Sequence, residues 1–173
     1  VEGLGTRFVD PLKGLNLMPF LDSLIRESLY WPNCLTSTER SFGAVPSLLG
    51  SLPYAERGFT FQDTLPEHLN LIHILNENDY CTGYFYGQGA WFHRKDHFLR
   101  FSGIDFIFDN SSFSGGYNKI VVGKDRFFWG YNDLDLFRQS FEVLDTLPKQ
   151  PLFSTYFTGS THAPFLIPDE DRY

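Results

Sequence analysis

Apolar positions along this chain recur at helical spacing and then at strand spacing, and the alternation runs through most of its length. In residues 18–29 (MPFLDSLIRESL) they fall three and four apart with Pro19 suited to a first turn, which predicts a helix; residues 29–32 read as a short strand. Residues 33–53 set several hydroxyls ahead of a small-residue apolar segment of helical character. Residues 65–76 (LPEHLNLIHILN) form an amphipathic helical pattern, and residues 80–86 (YCTGYFY) are β-branched and aromatic between breakers, as a strand is. Residues 93–101 predict a short helix, 105–109 a strand, 133–147 a longer helix and 152–158 a buried strand. The polar, Gly- and Ser-rich residues 110–119 read as a surface loop. Strands separated by helices predict an α/β fold: a three-layer α/β/α sandwich whose mostly parallel sheet is covered on both faces.

Composition narrows this picture. A chain of 173 residues, 42% hydrophobic and 18% aromatic, can bury one sizeable core and is expected to form a single domain over residues 1–173. With 21 acidic against 14 basic residues it lacks the basic field that a phosphate backbone requires, so nucleic acid is not expected as a partner. No run of 18 apolar residues occurs, and membrane attachment is expected only through flanking segments. Cys34 and Cys81 are too few for a disulfide scaffold and are not spaced as metal ligands, although an extracytoplasmic domain can join such a pair.

Ligands of open α/β sheets gather beyond the carboxyl ends of the strands. Four unusual clusters occupy such places: Glu2 with Gly3 and Gly5, where an upstream strand can have just ended, then residues 36–40, 87–94 and 160–164 after predicted strands. They are expected to share one rim, which brings together a carboxylate, hydroxyls, an arginine and a histidine. Each also has a plain structural reading. Thr36 and Glu39 stand at capping-box spacing, Arg94 suits a solvated helix face, His162 suits a loop histidine bonded to backbone, and Glu2 suits an exposed acid at a chain end. His93 and His97 have the i, i+4 spacing of helical metal ligands but no third ligand nearby, and read as surface residues; His68 and His73 read as packing or solvated positions on the 65–76 helix.

The motifs VEGLG, MPFLDSL, TSTERSFGA, GYFYG, FHR, GIDFIFD, FWGYND and TGSTHAPF follow one another in an order that resembles the lipoteichoic acid synthase and phosphoglycerol transferase branch of the alkaline phosphatase superfamily, proteins often labelled sulfatase-like. The resemblance implies that Glu2 is a metal ligand and that Thr38, with Arg40 two residues on and Ser41 three, is the nucleophile and a second metal ligand, with Thr36 and Ser37 as fallbacks. It implies substrate-binding roles for Arg40, for Arg94 and Phe92 (the counterparts of an F-W-N-R motif), and for His162 in a T-x-x-H-x-P pattern. Trp129, Gly130 and Asp133 match a W-G-x-x-D motif that reads as a turn, with Asp133 capping the next helix. Cys34 before TST also resembles phosphoethanolamine transferases, where that cysteine is disulfide-bonded; their second cysteine shortly after the threonine is missing here, and Phe85 and Gly87 replace the family's upstream histidine and aspartate.

The chemistry ties these groups together. A threonine hydroxyl is almost wholly protonated at neutral pH and attacks well only when its alkoxide is stabilised, as a bound cation would do. The resemblance implies a divalent ion, Mn²⁺ first, with Zn²⁺ or Mg²⁺ as alternatives, and a covalent phosphothreonine intermediate. It places the remaining family ligands, an Asp-His pair and another histidine, beyond the equivalent of His162, so this chain is expected to be the amino-terminal part of a catalytic domain and, alone, nearly inactive. The implied function is transfer of a phosphoglycerol-type head group, or hydrolysis of the phosphodiester, on a phospholipid or glycan-phosphate substrate outside the cytoplasm. Alternatives are a sulfatase, disfavoured because no C/S-x-P-x-R motif is present, a phosphoethanolamine transferase, and a non-catalytic anion-binding domain.

Overall fold

The computed structural model describes residues 3–5, 8–9, 17–38, 40–52, 59–125, 127–163 and 165–166. The chain divides into two units, one within residues 3–36 and the other within residues 37–173. In the first, helix α1 (Pro19–Arg26) forms where its spacing predicts, with Pro19 in the opening turn and Asp22 accepting from Arg26 at 2.9 Å one turn on. The strand predicted at 29–32 does not form. Leu29 and Trp31 are exposed and no described strand pairs with them, and an apolar run without a ladder has nothing to hold it extended.

The second unit contains α2 (Ala44–Gly50), α3 (Leu71–Asn76), β1 (Cys81–Tyr86), α4 (Lys95–Phe101), β2 (Phe106–Phe108), β3 (Lys119–Val122), β4 (Phe127–Tyr131), α5 (Asp133–Leu144) and β5 (Leu152–Phe157). Its central sheet has the order β2-β1-β5, parallel throughout, with Gly83 opposite Phe106 and Tyr84 opposite Thr155. Side chains alternate across β1. Tyr84 and Tyr86 pack with Val45 and Leu49 of α2, Ile72 of α3, and Phe98 and Leu99 of α4, whereas Phe85 packs on the other face with Phe108 and Leu136 of α5. All six β1 residues are buried, as a strand covered on both faces must be. The three-layer parallel architecture expected from the alternation is the one found.

Two elements depart from their predicted extents. The amphipathic 65–76 segment becomes helical only at Leu71, where the Asn70 side chain caps the helix by accepting from the His73 N–H at 2.9 Å. Pro66 biases Leu65 away from helical backbone, and Leu65 is buried in the core instead. His68 therefore precedes the helix, its ring lying 5.8 Å from Phe101, while His73 is exposed beside Glu77. The second departure is an antiparallel β3–β4 hairpin that the pattern did not announce, because its strands are short and irregular, with a register shift between Ile120 and Val121.

That hairpin is pinned to the end of β1. Tyr131 N–H donates to the Gly87 carbonyl at 2.9 Å, and a Cβ at Gly87 would stand 2.7 Å from the Tyr131 carbonyl oxygen. The crowding atom is backbone and cannot swing away. Gly87→Ala is therefore expected to lower stability by about 1–3 kcal/mol, measured by denaturant unfolding; an unchanged midpoint would mean that the hairpin docks less tightly than this. Cys34 is exposed, Cys81 is buried, and both are free thiols, so the disulfide left open by the sequence is not formed. No helix among the described residues is long and apolar enough to cross a membrane.

Candidate active site

Because β1 and β5 are parallel neighbours, their carboxyl ends open on the same edge, and the segments that follow each form one rim. The segment after β1 is held from two sides: the Gly87 carbonyl by β4, and the Ala90 N–H by the Asp109 carboxylate at the end of β2, 2.9 Å away. It ends in two consecutive non-glycine residues in the left-handed region, His93 (φ 56°) and Arg94 (φ 53°). Such conformations cost about 1–3 kcal/mol each and persist where the surroundings dictate them. Here the His93 ring stacks on Phe42 with centroids 3.7 Å apart, and the reversal starts α4 with Lys95 turned inward. Burial, then the charges of Lys95 and Arg40, lower the His93 pKa below the ordinary imidazole value.

The segment after β5 is held by Asp133. Its carboxylate accepts from the Gly159 and Ser160 N–H groups at 2.7 and 3.0 Å, and the Ser160 hydroxyl accepts from the Asp133 N–H at 2.8 Å. Asn132, not Asp133, caps α5, accepting from the Leu134 N–H at 2.8 Å. The W-G-x-x-D aspartate thus fixes the loop that carries His162 rather than a helix end. Charge-assisted bonds of this kind contribute roughly 1.5–3 kcal/mol, so Asp133→Asn is expected to lose about 1–2 kcal/mol. Amide exchange in residues 159–162 is expected to quicken while β1 stays protected, a contrast that hydrogen-exchange mass spectrometry resolves; uniform change along the chain would count against a local latch.

Between these segments lies a cavity of about 340 Å³. Arg40, Phe92, Lys95, Trp129 and His162 line it, and no aspartate or glutamate does among the described residues. The His162 Nδ1 lies 2.6 Å from the Ala163 carbonyl, which can only accept, so Nδ1 carries the proton. Nε2 then donates to a ligand only when the imidazole is protonated. The ring tilts against Trp129 with centroids 4.5 Å apart; Trp129 and Gly130 belong to strand β4 rather than to the turn read from their motif, and Trp129 has a place in the site.

The other sequence-predicted residues fall as follows. Thr38 is 7% exposed and its hydroxyl donates to the Arg40 carbonyl at 2.9 Å, two residues ahead of the cavity wall. The helix beyond it begins with a 3₁₀ turn, Ser41–Gly43, and α2 is only 7 residues long, so its end supplies less of an anion cradle than a long helix would. Phe92 and His162 share the cavity with Arg40. Arg94 is placed otherwise: its guanidinium donates to the Phe61 carbonyl at 3.2 Å, lies 3.8 Å from Asp63, and is not in the cavity wall. His93 and His97 are half-buried rather than on the surface. Glu2 and Glu39 lie outside the described residues.

Lys95 escaped sequence reasoning. It is 1% exposed, lines the cavity, and its Nζ donates to the Phe92 carbonyl at 2.5 Å. The available signal was a second basic residue directly after FHR, indistinguishable in one dimension from a solvated helix charge.

The motif resemblance implies a divalent cation, whose ligands would have to come from the described residues or from beyond them. Among the described residues no three His, Cys, Asp or Glu side chains converge, and Thr38 offers one oxygen. That donor set does not fit a divalent ion, which takes several protein ligands.

Residues 12–173 match the family model described as Sulfatase. The chain belongs to the sulfatase family. Over 94% of its length this sulfatase-family chain is 25% identical to the lipoteichoic acid synthase-like protein YvgJ of Bacillus subtilis (strain 168), of which it spans 26%. A solved structure of an alkaline phosphatase superfamily protein from Vibrio parahaemolyticus is 30% identical, with a TM-score of 0.74 over 96% of this chain and 40% of that one. The lipoteichoic acid synthase LtaP of Listeria monocytogenes, 23% identical, shares the fold with a TM-score of 0.76 over 93% of this chain and 39% of its own. The alkaline phosphatase superfamily fold expected from the motif order is thereby established, and the chain spans about two fifths of the solved structures and a quarter of the curated relative.

Proposed function

We propose that this chain contributes the nucleophile and the anion-binding wall of a phosphotransferase or phosphodiesterase acting on a phospholipid-type head group outside the cytoplasm. What supports the reading is one observation: a cavity at the carboxyl ends of β1 and β5 that gathers Arg40, Lys95 and His162 without a carboxylate in its described lining, next to Thr38. Arg40 and Lys95, cations facing a cavity whose described lining holds no counter-charge, suit the nonbridging oxygens of a phosphodiester, on which negative charge is held as the phosphoryl group transfers. The Thr38 oxygen attacks phosphorus as the bond from phosphorus to the leaving oxygen breaks; the threonine hydroxyl proton passes to that oxygen, which departs as an alcohol, and a threonyl phosphoester remains. An alcohol acceptor then gives transfer, and water gives hydrolysis. Phe92 and Trp129 present apolar faces to the uncharged part of the head group. Mn²⁺ or another divalent ion belongs to this proposal only with ligands beyond the described residues.

Among the described residues of the lining no acidic side chain stands ready to pair with an ammonium, which favours an uncharged head group over an aminated one. A sulfate ester is the second reading, since sulfate and phosphate make the same demands on these cations. The deciding experiment incubates the full-length gene product with phosphatidylglycerol or phosphatidylethanolamine and looks for a trapped adduct by intact-mass and peptide mass spectrometry. A glycerophosphoryl or phosphoryl group on Thr38 is expected. Sulfation on incubation with a sulfate ester favours the second reading, and no adduct at all would leave only an anion-binding role.

A further inference from the structure

Lys95 sits where an ammonium is hard to keep. Its Nζ lies 4.7, 5.1 and 5.5 Å from the ring centroids of Tyr86, Phe92 and Phe157, and it donates a hydrogen bond to the neutral Phe92 carbonyl. No carboxylate among the described residues comes within ion-pair distance. A buried charge in this condition is strongly disfavoured unless a counter-charge reaches it. The cavity gives access for one, because Lys95 forms part of its wall together with Arg40 and His162.

Resting on the phosphoryl-transfer reading, we infer that Lys95, rather than the neighbouring Arg94, supplies the counter-charge for the anionic group of the ligand, a phosphate- or sulfate-like oxyanion. Arg94 already bonds the Phe61 carbonyl and stands near Asp63, outside the cavity wall. The aromatic rings that exclude water from Lys95 also strengthen its attraction to an anion, since the local dielectric is low.

A proton accompanies the anion. Burial brings the Lys95 pKa down to about 8, opposed only in part by Asp96 on the same helix. The other titratable or charged groups around the cavity are Tyr86 from β1, His93 from the turn before α4, Arg40 ahead of α2, and His162 after β5. An arriving oxyanion favours the ammonium form, so somewhat above pH 8 binding draws a proton from the buffer, and affinity falls as pH rises through that value.

Isothermal titration of the 173-residue chain with inorganic sulfate, at about pH 8.5 in two buffers of different ionisation enthalpy, reads this directly, because sulfate itself carries no proton there. Wild type is expected to show a buffer-dependent heat that reports proton uptake. Lys95→Met is expected to bind at least about tenfold more weakly and without buffer dependence, whereas Lys95→Arg binds without proton uptake because arginine stays charged. Arg94→Ala is expected to bind as wild type does. Wild-type binding with buffer-independent heat, or undiminished binding by a folded Lys95→Met, overturns the role of Lys95 and leaves the anion site standing. No binding by wild type overturns both. Should Lys95→Met fail to fold, the wild-type buffer comparison and Lys95→Arg still decide.

Discussion

Thr38→Ala in the full-length gene product is expected to lower turnover of a nitrophenyl phosphodiester by at least about 10³-fold while leaving the fold intact. The loss follows from chemistry rather than from packing. The Thr38 hydroxyl is the group that would form the covalent bond. Thr38 is 7% exposed, and its hydroxyl donates to the Arg40 carbonyl two residues on, a local bond that orients the side chain. Removing it should therefore cost little stability, roughly 1 kcal/mol by the usual worth of such a bond. Thr38→Ser is the control: it keeps the oxygen and should retain substantial activity. An alanine variant with near-normal turnover would move the nucleophile elsewhere, Thr36 and Ser37 being next in the same run. Measured alone, the 173-residue chain is expected to turn over this substrate barely at all, because its described residues do not assemble a cation site; robust activity abolished by Thr38→Ala would show the site to be complete within it.

Lys95→Met is expected to stabilise the folded chain at pH 7 by up to about 3 kcal/mol, even as it weakens anion binding. The sign follows from linkage. Burial holds the folded-state pKa near 8 against an ordinary 10.5, and each unit of that difference is worth about 1.4 kcal/mol. Below about pH 8 both folded and unfolded chains carry the proton, and the full penalty of a buried ammonium is present. As pH rises from 8 towards 10.5 the folded chain sheds the proton first, the unfolded chain binds more protons, and wild-type stability climbs. Methionine fills a similar volume without the charge. Denaturant unfolding of both proteins should show the largest gap at pH 7 and a shrinking one at alkaline pH; a gap of constant size would place its origin in packing. At the size of this chain the neutral-pH gain amounts to a melting shift of roughly 5–10 °C. A residue whose removal stabilises the fold but weakens ligand binding is one kept for function.

Where apolar periodicity was strong, the sequence and the structure coincide. The 80–86 run is a strand because β-branched and aromatic side chains can be buried on both faces of a central ladder, and the alternation of Tyr84, Phe85 and Tyr86 assigns each side chain to one layer. The 152–158 run is a strand as well, but as β5 it lies at the edge of the described sheet and is half-buried at most, not the buried strand expected. Where the pattern was short, tertiary partners decided. The run at 29–32 found no partner strand, while the plain-looking 119–131 region became a hairpin because Tyr131 bonds the Gly87 carbonyl. Motif order likewise placed Arg40, Phe92 and His162, which do meet at one cavity, but it assigned Asp133 to a helix cap when its carboxylate in fact secures the loop before His162.

By itself the sequence determined the layered α/β class and set residues 87–94 and 160–163 after parallel strands, since both follow from spacing along one dimension: period two or period 3.6 for burial, and loops after strands for the rim. Arg40 follows no described strand and joins them only through the tertiary fold. Which of two adjacent cations faces the cavity was decided only in three dimensions. Two left-handed residues, His93 and Arg94, turn the backbone so that Lys95 points inward while Arg94 reaches Phe61. A reversal of that kind depends on the stacking of His93 against Phe42, a contact between residues far apart in the chain, and no local periodicity encodes it.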